Sequence, residues 1–342
     1  MNGRILPTGN RRASKRLSGL LPTLAALMLL ASAAAGKDIG PQSQASHEQV
    51  EKLVGLWKDH FAGADGLQQR RTAFRALMET TPGPTRIQVR QVDAELMWPA
   101  RLHHPIGHRV ILYIHGGGFS GGSIRTHSLL AGSLAKATSS DVLLIEYRLM
   151  PDYTYPAQIN DALTAYRWLL DNGYRSENVI VAGDDAGGNI AIETVLRQKQ
   201  AAKPLPTAVI ALSPITDLAA TGGSMTVNAD SDPLVGSASI EALRKAYLGN
   251  RSPTDPQASP LYADMTGFPP LLLQVGSGEV LLDDTLRLAD KARQAGVDVT
   301  TEIWPGMPHQ WQLFPSLLDD ADRSSQNIAE FAIRHFEDKP EE

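Results

Sequence analysis

The chain contains no cysteine. That excludes disulfides, thiol nucleophiles, thiolate-held metals and a cysteine-linked lipid anchor in one step. Strong charge is also missing. The net formal charge is −5 and no basic stretch stands out, so nucleic acid is not an expected partner. No internal repeat and no low-complexity segment is present. No uninterrupted apolar run is long enough for a stable membrane span. With 342 residues the chain can bury a large core, and α/β folds of this length often form one unit.

What is present begins with the N-terminus. Arg11, Arg12, Lys15 and Arg16 precede an uncharged stretch from Leu17 to Gly36 that contains Leu24–Leu30 and ends in Ala31-Ser32-Ala33-Ala34-Ala35. A basic head, a short apolar run and small residues predict a secretory signal peptide over 1–35. The mature chain, 36–342, is then expected to work outside the cytoplasm, periplasmic or secreted. A membrane anchor is the competing reading, and Gly19 and Pro22 inside the run argue against it.

Downstream, Val50, Leu53, Val54, Trp57 and Phe61 recur at helical spacing, and a second helix is expected over Leu67–Met78. Strand segments are expected over Ile87–Trp98. Apolar strands then follow at Val110–Ile114, Val142–Tyr147, Val179–Ala182, Ala208–Leu212, Leu271–Val275 and Val299–Trp304. Helical stretches at His127–Ala137, Gln158–Leu170, Gly188–Gln198 and Asp284–Ala295 separate most of them, and Asp319–Phe336 closes the chain. Repeated β–α units predict an α/β fold with a mostly parallel central sheet and helices on both faces. Asp217–Asp255 breaks the rhythm as an insertion with a short helix at Ile240–Tyr247.

The most telling segment is Gly183-Asp184-Asp185-Ala186-Gly187-Gly188. A β-branched strand leads into it and a helix leads out. Small flanking residues let the chain turn sharply and push one side chain outward, as in a nucleophile elbow. The outward residue is Asp185, where a serine hydrolase would carry serine. Farther upstream, His115-Gly116-Gly117-Gly118-Phe119 follows a strand. Backbone N–H groups of Gly117, Gly118 and Ala186 would make an oxyanion hole.

These blocks resemble the hormone-sensitive-lipase-like family of α/β-hydrolases, also called bacterial family IV esterases. His115–Phe119 looks like the family's HGGG motif. Tyr147-Arg148-Leu149-Met150-Pro151, Tyr155-Pro156-Ala157, Ser259-Pro260-Leu261, Phe268-Pro269-Pro270 and Pro308-His309 are similar to further family blocks, in the family's order from about Val50 to Phe336. The family elbow reads Gly-Asp-Ser-Ala-Gly-Gly, so the departure falls on the residue that defines the chemistry. The resemblance implies that His309 is the catalytic histidine and Glu279 its acid partner, in the order nucleophile–acid–histidine. Asp283 is the rival acid, with a more natural role at a helix head. Asp184 is implied to be structural, and His115, Gly116, Gly183 and Gly187 to support the motifs. A cap is implied over about 45–80 and about 217–255. No cofactor and no metal are implied. The expected partner is a small apolar substrate or ligand, with a homodimer left open.

Carboxylic esters are the substrate class implied by the resemblance. Yet a carboxylate attacking an ester carbonyl is a weak nucleophile and would give a mixed anhydride. Asp185 better suits displacement at a saturated carbon, forming an alkyl ester that His309 could hydrolyse through water, as in epoxide hydrolases and haloalkane dehalogenases. That route needs an acid or halide donor, for which Tyr153, Tyr155, Tyr247, Trp98 and Trp311 are candidates. General-base hydrolysis by Asp185 or His309 is a third route. A silent ligand binder or inactivated variant is the fourth, since two acids around one histidine favour imidazolium, a poor base. Plant gibberellin receptors, which resemble this family, are silent binders of that kind.

Overall fold

The computed structural model describes residues 45–93, 100–104, 108–235 and 237–336. The expected signal peptide and Trp98 lie outside the described residues. In chain order, helices α1 (His47–Phe61) and α2 (Leu67–Glu79) precede strands β1 (Gln88–Val92), β2 (Ala100–His104) and β3 (Val110–Ile114). The alternating part follows as α3 (Ile124–Thr138), β4 (Asp141–Ile145), α4 (Ala157–Asp171), β5 (Val179–Asp184), α5 (Ala186–Gln200) and β6 (Ala208–Leu212). Short helix α6 (Ser224–Val227) and α7 (Ser237–Leu248) interrupt it before β7 (Leu271–Gly276), α8 (Leu282–Gln294), β8 (Val299–Trp304) and α9 (Asp319–His335).

The eight strands form one sheet in the order β1-β2-β4-β3-β5-β6-β7-β8. Strand β2 pairs antiparallel with both neighbours, and every other pairing is parallel. Strands β3 to β7 are buried along their whole length. Their apolar runs are continuous because helices cover both faces. The two-residue period divides each run. Val110, Leu112 and Ile114 pack with α4, α5 and α8 residues such as Ile159, Ile190 and Leu288. Ile111 and Tyr113 pack on the other face with Leu134 of α3, Phe331 of α9 and Trp57 of α1.

Local signals set the ends. Ser46 and Gln49 form a reciprocal capping box on α1, and Ser123 with Thr126 does the same on α3. The strand expected to reach Tyr147 stops at Ile145, where its pairing with β3 ends, and the Tyr147 hydroxyl donates to the His115 carbonyl at 2.9 Å. Strand β5 runs two residues farther than expected, to Asp184, so the elbow is Asp185 alone between β5 and α5. The segment expected as strand over Ile87–Trp98 is ordered as β1 in its first part, and 94–99 lie outside the described residues. Among the described residues no helix is long and apolar enough to cross a membrane.

Candidate active site

The elbow is a tight crossing of backbones. A Cβ at Gly187 would lie 2.1 Å from the Ile114 carbonyl oxygen, and one at Gly183 would lie 2.4 Å from that of Gly187. No side chain fits at either position. Between them Asp185 is held at φ 53° and ψ −120°, which a non-glycine residue adopts only when its surroundings force it. Its side chain is thereby presented at the end of β5, where ligands of such sheets bind.

The Asp185 carboxylate is not free. Gly117 N–H and Gly118 N–H both donate to its Oδ2, at 2.9 and 2.7 Å. The two amides expected to stabilise an oxyanion therefore already hold one. The other oxygen, Oδ1, lies 3.5 Å from His309 Nε2. On the far side of the ring, His309 Nδ1 is 2.7 Å from Glu279 Oε2. Glu279 is fully buried, and its Oε1 accepts from Ser213 Oγ at 2.7 Å and from Gly276 N–H at 2.6 Å. Asp185, His309 and Glu279 thus lie in one line, carboxylate–imidazole–carboxylate. The Ala186 N–H sits at the first position of α5, beside Asp185.

Charge follows geometry. Burial favours the neutral His309 ring, but contacts with Asp185 and Glu279 and their charges outweigh it, so its pKa is raised well above the ordinary value. Burial pushes Glu279 upward, against the opposing pull of His309. His115 behaves oppositely. Burial and neighbouring His127 lower it to about 3, so it is a neutral ring stacked on Tyr147 at 4.3 Å.

Asp184 faces away from the line. Its Oδ1 accepts from Tyr113 Oη and Gly116 N–H, both at 3.0 Å. Its Oδ2 accepts from Gln310 Nε2 at 2.9 Å and meets His127 Nε2 at 3.2 Å. Burial would raise its pKa, but His127, Tyr113 and Gln310 hold it below the usual carboxylate range. It joins the glycine loop, α3 and the histidine loop. A Cβ at Gly116 would fall 2.2 Å from this carboxylate, which explains the glycine there. Asp283 does not approach His309. It lies in the first turn of α8 and accepts from Ser224 N–H at 3.0 Å.

Asp185 and His309 open onto a cavity of about 510 Å³. Trp57, Phe61 and Phe74 line it from α1 and α2, and Leu234, Ile240 and Leu243 from the 217–255 insertion. Among the expected acid donors, Tyr153, Tyr155, Tyr247 and Trp311 do not line it, which corrects that expectation. Tyr247 instead stacks on Phe119 at 3.9 Å, and Trp311 packs on Trp304 at 4.8 Å. His127, Ser213 and Gln310 were not legible as site residues, because each acts through a partner remote in sequence. Arg70 and Arg71, which line the cavity, carried only the signal of two adjacent cations on an amphipathic helix.

Comparison with known proteins bears on the family and the fold. The alpha/beta hydrolase fold family matches residues 111–313. An acetyl-hydrolase of Streptomyces hygroscopicus is 36% identical over 291 residues, 83% of this chain and 95% of that protein. An esterase of Acinetobacter venetianus is 39% identical, covering 66% of this chain and 74% of that protein. The crystal structure of an esterase from the bacterial hormone-sensitive lipase family superposes with a TM-score of 0.82 at 35% identity, over 86% of this chain and all of that one. The chain belongs to the α/β-hydrolase family, in its hormone-sensitive-lipase-like branch.

Proposed function

We propose that this chain is a carboxylesterase-like hydrolase of small apolar esters in which Asp185 stands at the seat of the family's nucleophilic serine. The observation that carries the reading is the acid–histidine pair, Glu279 to His309 at 2.7 Å, opening with the Gly117 and Gly118 amides onto one apolar cavity. The carbonyl oxygen of an ester and Oδ2 of Asp185 compete for the same two amides. Asp185 must therefore swing out before an ester carbonyl is polarised. His309 in its neutral form then takes a proton from water as the water attacks the carbonyl carbon. The tetrahedral oxyanion rests on Gly117 and Gly118, with Ala186 N–H beside them. Its collapse expels the alcohol, which takes the proton from His309. No acyl-enzyme forms, and turnover is slow. The segments 45–80 and 217–255 act as the cap that gives the cavity its apolar walls.

The test is a panel of short-chain p-nitrophenyl esters. Wild type turns them over slowly and loses this activity as His309→Gln. A folded wild type with no turnover, together with a folded Asp185→Ser that also has none, would sink the ester reading and leave a ligand binder.

A second reading is favoured by one specific contact. With Oδ2 held by Gly117 and Gly118, Oδ1 is the oxygen left to act as a carboxylate nucleophile, facing His309 Nε2 at 3.5 Å. Attack on a saturated carbon would form an alkyl ester whose carbonyl oxygen already sits in the hole. Against it stands the cavity wall, where no Tyr153, Tyr155, Tyr247 or Trp311 supplies an acid. Terminal epoxides and haloalkanes incubated with His309→Gln separate the readings. A mass adduct on the Asp185 peptide supports this one, and its absence removes it.

The chain is further proposed to be exported, with residues 1–35 removed. N-terminal sequencing of protein recovered from outside the cytoplasm should find a start between about Ala34 and Lys37. An intact Met1 on membrane-bound protein would contradict it.

A further inference from the structure

The cavity walls are largely apolar, and two cations stand among them. Arg70 and Arg71, adjacent on α2, both line it, and both are only partly exposed. Their guanidinium groups are held in place by carbonyls. Arg70 Nη2 donates to Leu234 O at 2.9 Å, and its guanidinium lies 5.0 Å from the Phe61 ring centroid. Arg71 Nε donates to Ser120 O at 2.7 Å, and its Nη2 donates to Met150 O. Among the described residues no carboxylate pairs with either side chain. Among the described residues, two cations thus face one cleft with no carboxylate paired to them.

An apolar ester gives such charges nothing, and water is the poorer partner in a low-dielectric cleft. Burial indeed works against the charge on Arg70. Asp185 also lines the cavity, but its carboxylate is held by the Gly117 and Gly118 amides and the His309 ring, not by either arginine. Asp65 also lines the cavity, but it is exposed and screened by water. The guanidinium fork is suited to a planar carboxylate.

We propose that Arg70 and Arg71 give this otherwise largely apolar pocket a preference, within the ester class proposed above, for substrates whose apolar non-reacting part ends in a carboxylate, such as half-esters of short dicarboxylic acids. The ester linkage rests on the function proposed above, whereas the anion preference rests on the arginines alone.

Binding tests it without turnover. The full protein is titrated calorimetrically with N-phenylglutaramic acid, an amide that carries a carboxylate, and with its neutral terminal-amide analogue. The acid should bind about tenfold more tightly at low salt, the worth of one hydrogen-bonded charge contact. The preference should shrink as ionic strength rises. Arg70→Gln should bring the preference close to one, and Arg70→Lys should keep part of it. Thermal unfolding confirms that the variants are folded. Equal binding of the two amides by wild type, a preference indifferent to salt, or full preference in folded Arg70→Gln overturns the proposal. Should Arg70→Gln fail to fold, the salt dependence and Arg70→Lys decide. Anion-selective binding keeps this inference even where neither wild type nor folded Asp185→Ser turns over an ester, the result that sinks the ester reading. Ester turnover without anion preference does the reverse.

Discussion

Asp184 and Asp185 are neighbours in sequence, both almost fully buried, and their carboxylates do opposite things. Asp184 gathers Tyr113, Gly116, Gln310 and His127 around itself, and does not itself line the cavity. Asp185 reaches the other way, into two amides and a histidine that chemistry needs free. The difference is one of backbone. Asp184 ends a strand and Asp185 is the single residue of the turn, held at positive φ. A carboxylate in the first position builds the site, and one in the second occupies it.

The sharpest way to break this comparison is to empty the second position. Asp185→Ser frees the Gly117 and Gly118 amides and places a hydroxyl near His309. Steady-state hydrolysis of p-nitrophenyl butyrate should rise about a thousandfold, the scale set by a nucleophile and oxyanion donors acting together. A variant no faster than wild type would mean that Asp185 does not block the hole.

Emptying the first position should act on the fold instead. Asp184→Ala strands Tyr113 Oη, the Gly116 amide and Gln310 Nε2 and uncouples His127. Removing one partner from a buried charged network costs about 3–5 kcal/mol, read by denaturant unfolding. An unchanged midpoint would show that the neighbours close the gap without it. By the same logic Asp185→Ser, though faster, should be about 2 kcal/mol less stable, because two amide bonds to a charged group are lost.

The pH dependence separates the two carboxylates by sign. His309 has a raised pKa, so its charged form adds stability below the unfolded value near 6.5, and that stability is lost as pH rises through the folded value. Ester turnover needs the neutral ring, so wild-type activity should climb on the alkaline side. Removing Asp185 takes away one of the two raising contacts, and the inflection should move to lower pH in Asp185→Ser. Asp184 is depressed, and its contribution is present above the unfolded carboxylate value and lost in acid. Coincident pH–rate curves for the two proteins would deny that Asp185 governs His309.

Much of the fold was legible because its signals are local. Strands β3 and β5 to β7 announce themselves as apolar runs, and Gly183 and Gly187 bracket the turn at two positions that no Cβ fits. Both acids flanking His309 could be named from loop positions and family resemblance. What could not be read was where the Asp185 oxygens lie. The contact to Gly117 closes 68 residues of chain, and whether a side chain points into the hole or out of it depends on angstroms. The tyrosines failed as acid donors for a similar reason. Tyr247 was one candidate donor, but it is buried in a stack on Phe119 and does not line the cavity. Arg70 and Arg71 carried no signal of a cavity in the sequence, because Arg70 meets its partner Leu234 only across 164 residues of chain.

The central claim is that the Asp185 carboxylate, seated in the oxyanion hole, prevents an acyl-enzyme. Rapid mixing with p-nitrophenyl butyrate, followed by intact mass of the same quenched samples, tests it most directly. Asp185→Ser should release about one equivalent of nitrophenol in a burst and gain one butyryl group on the peptide containing residue 185. Wild type should show neither. A stoichiometric burst with an acylated wild type would contradict the account.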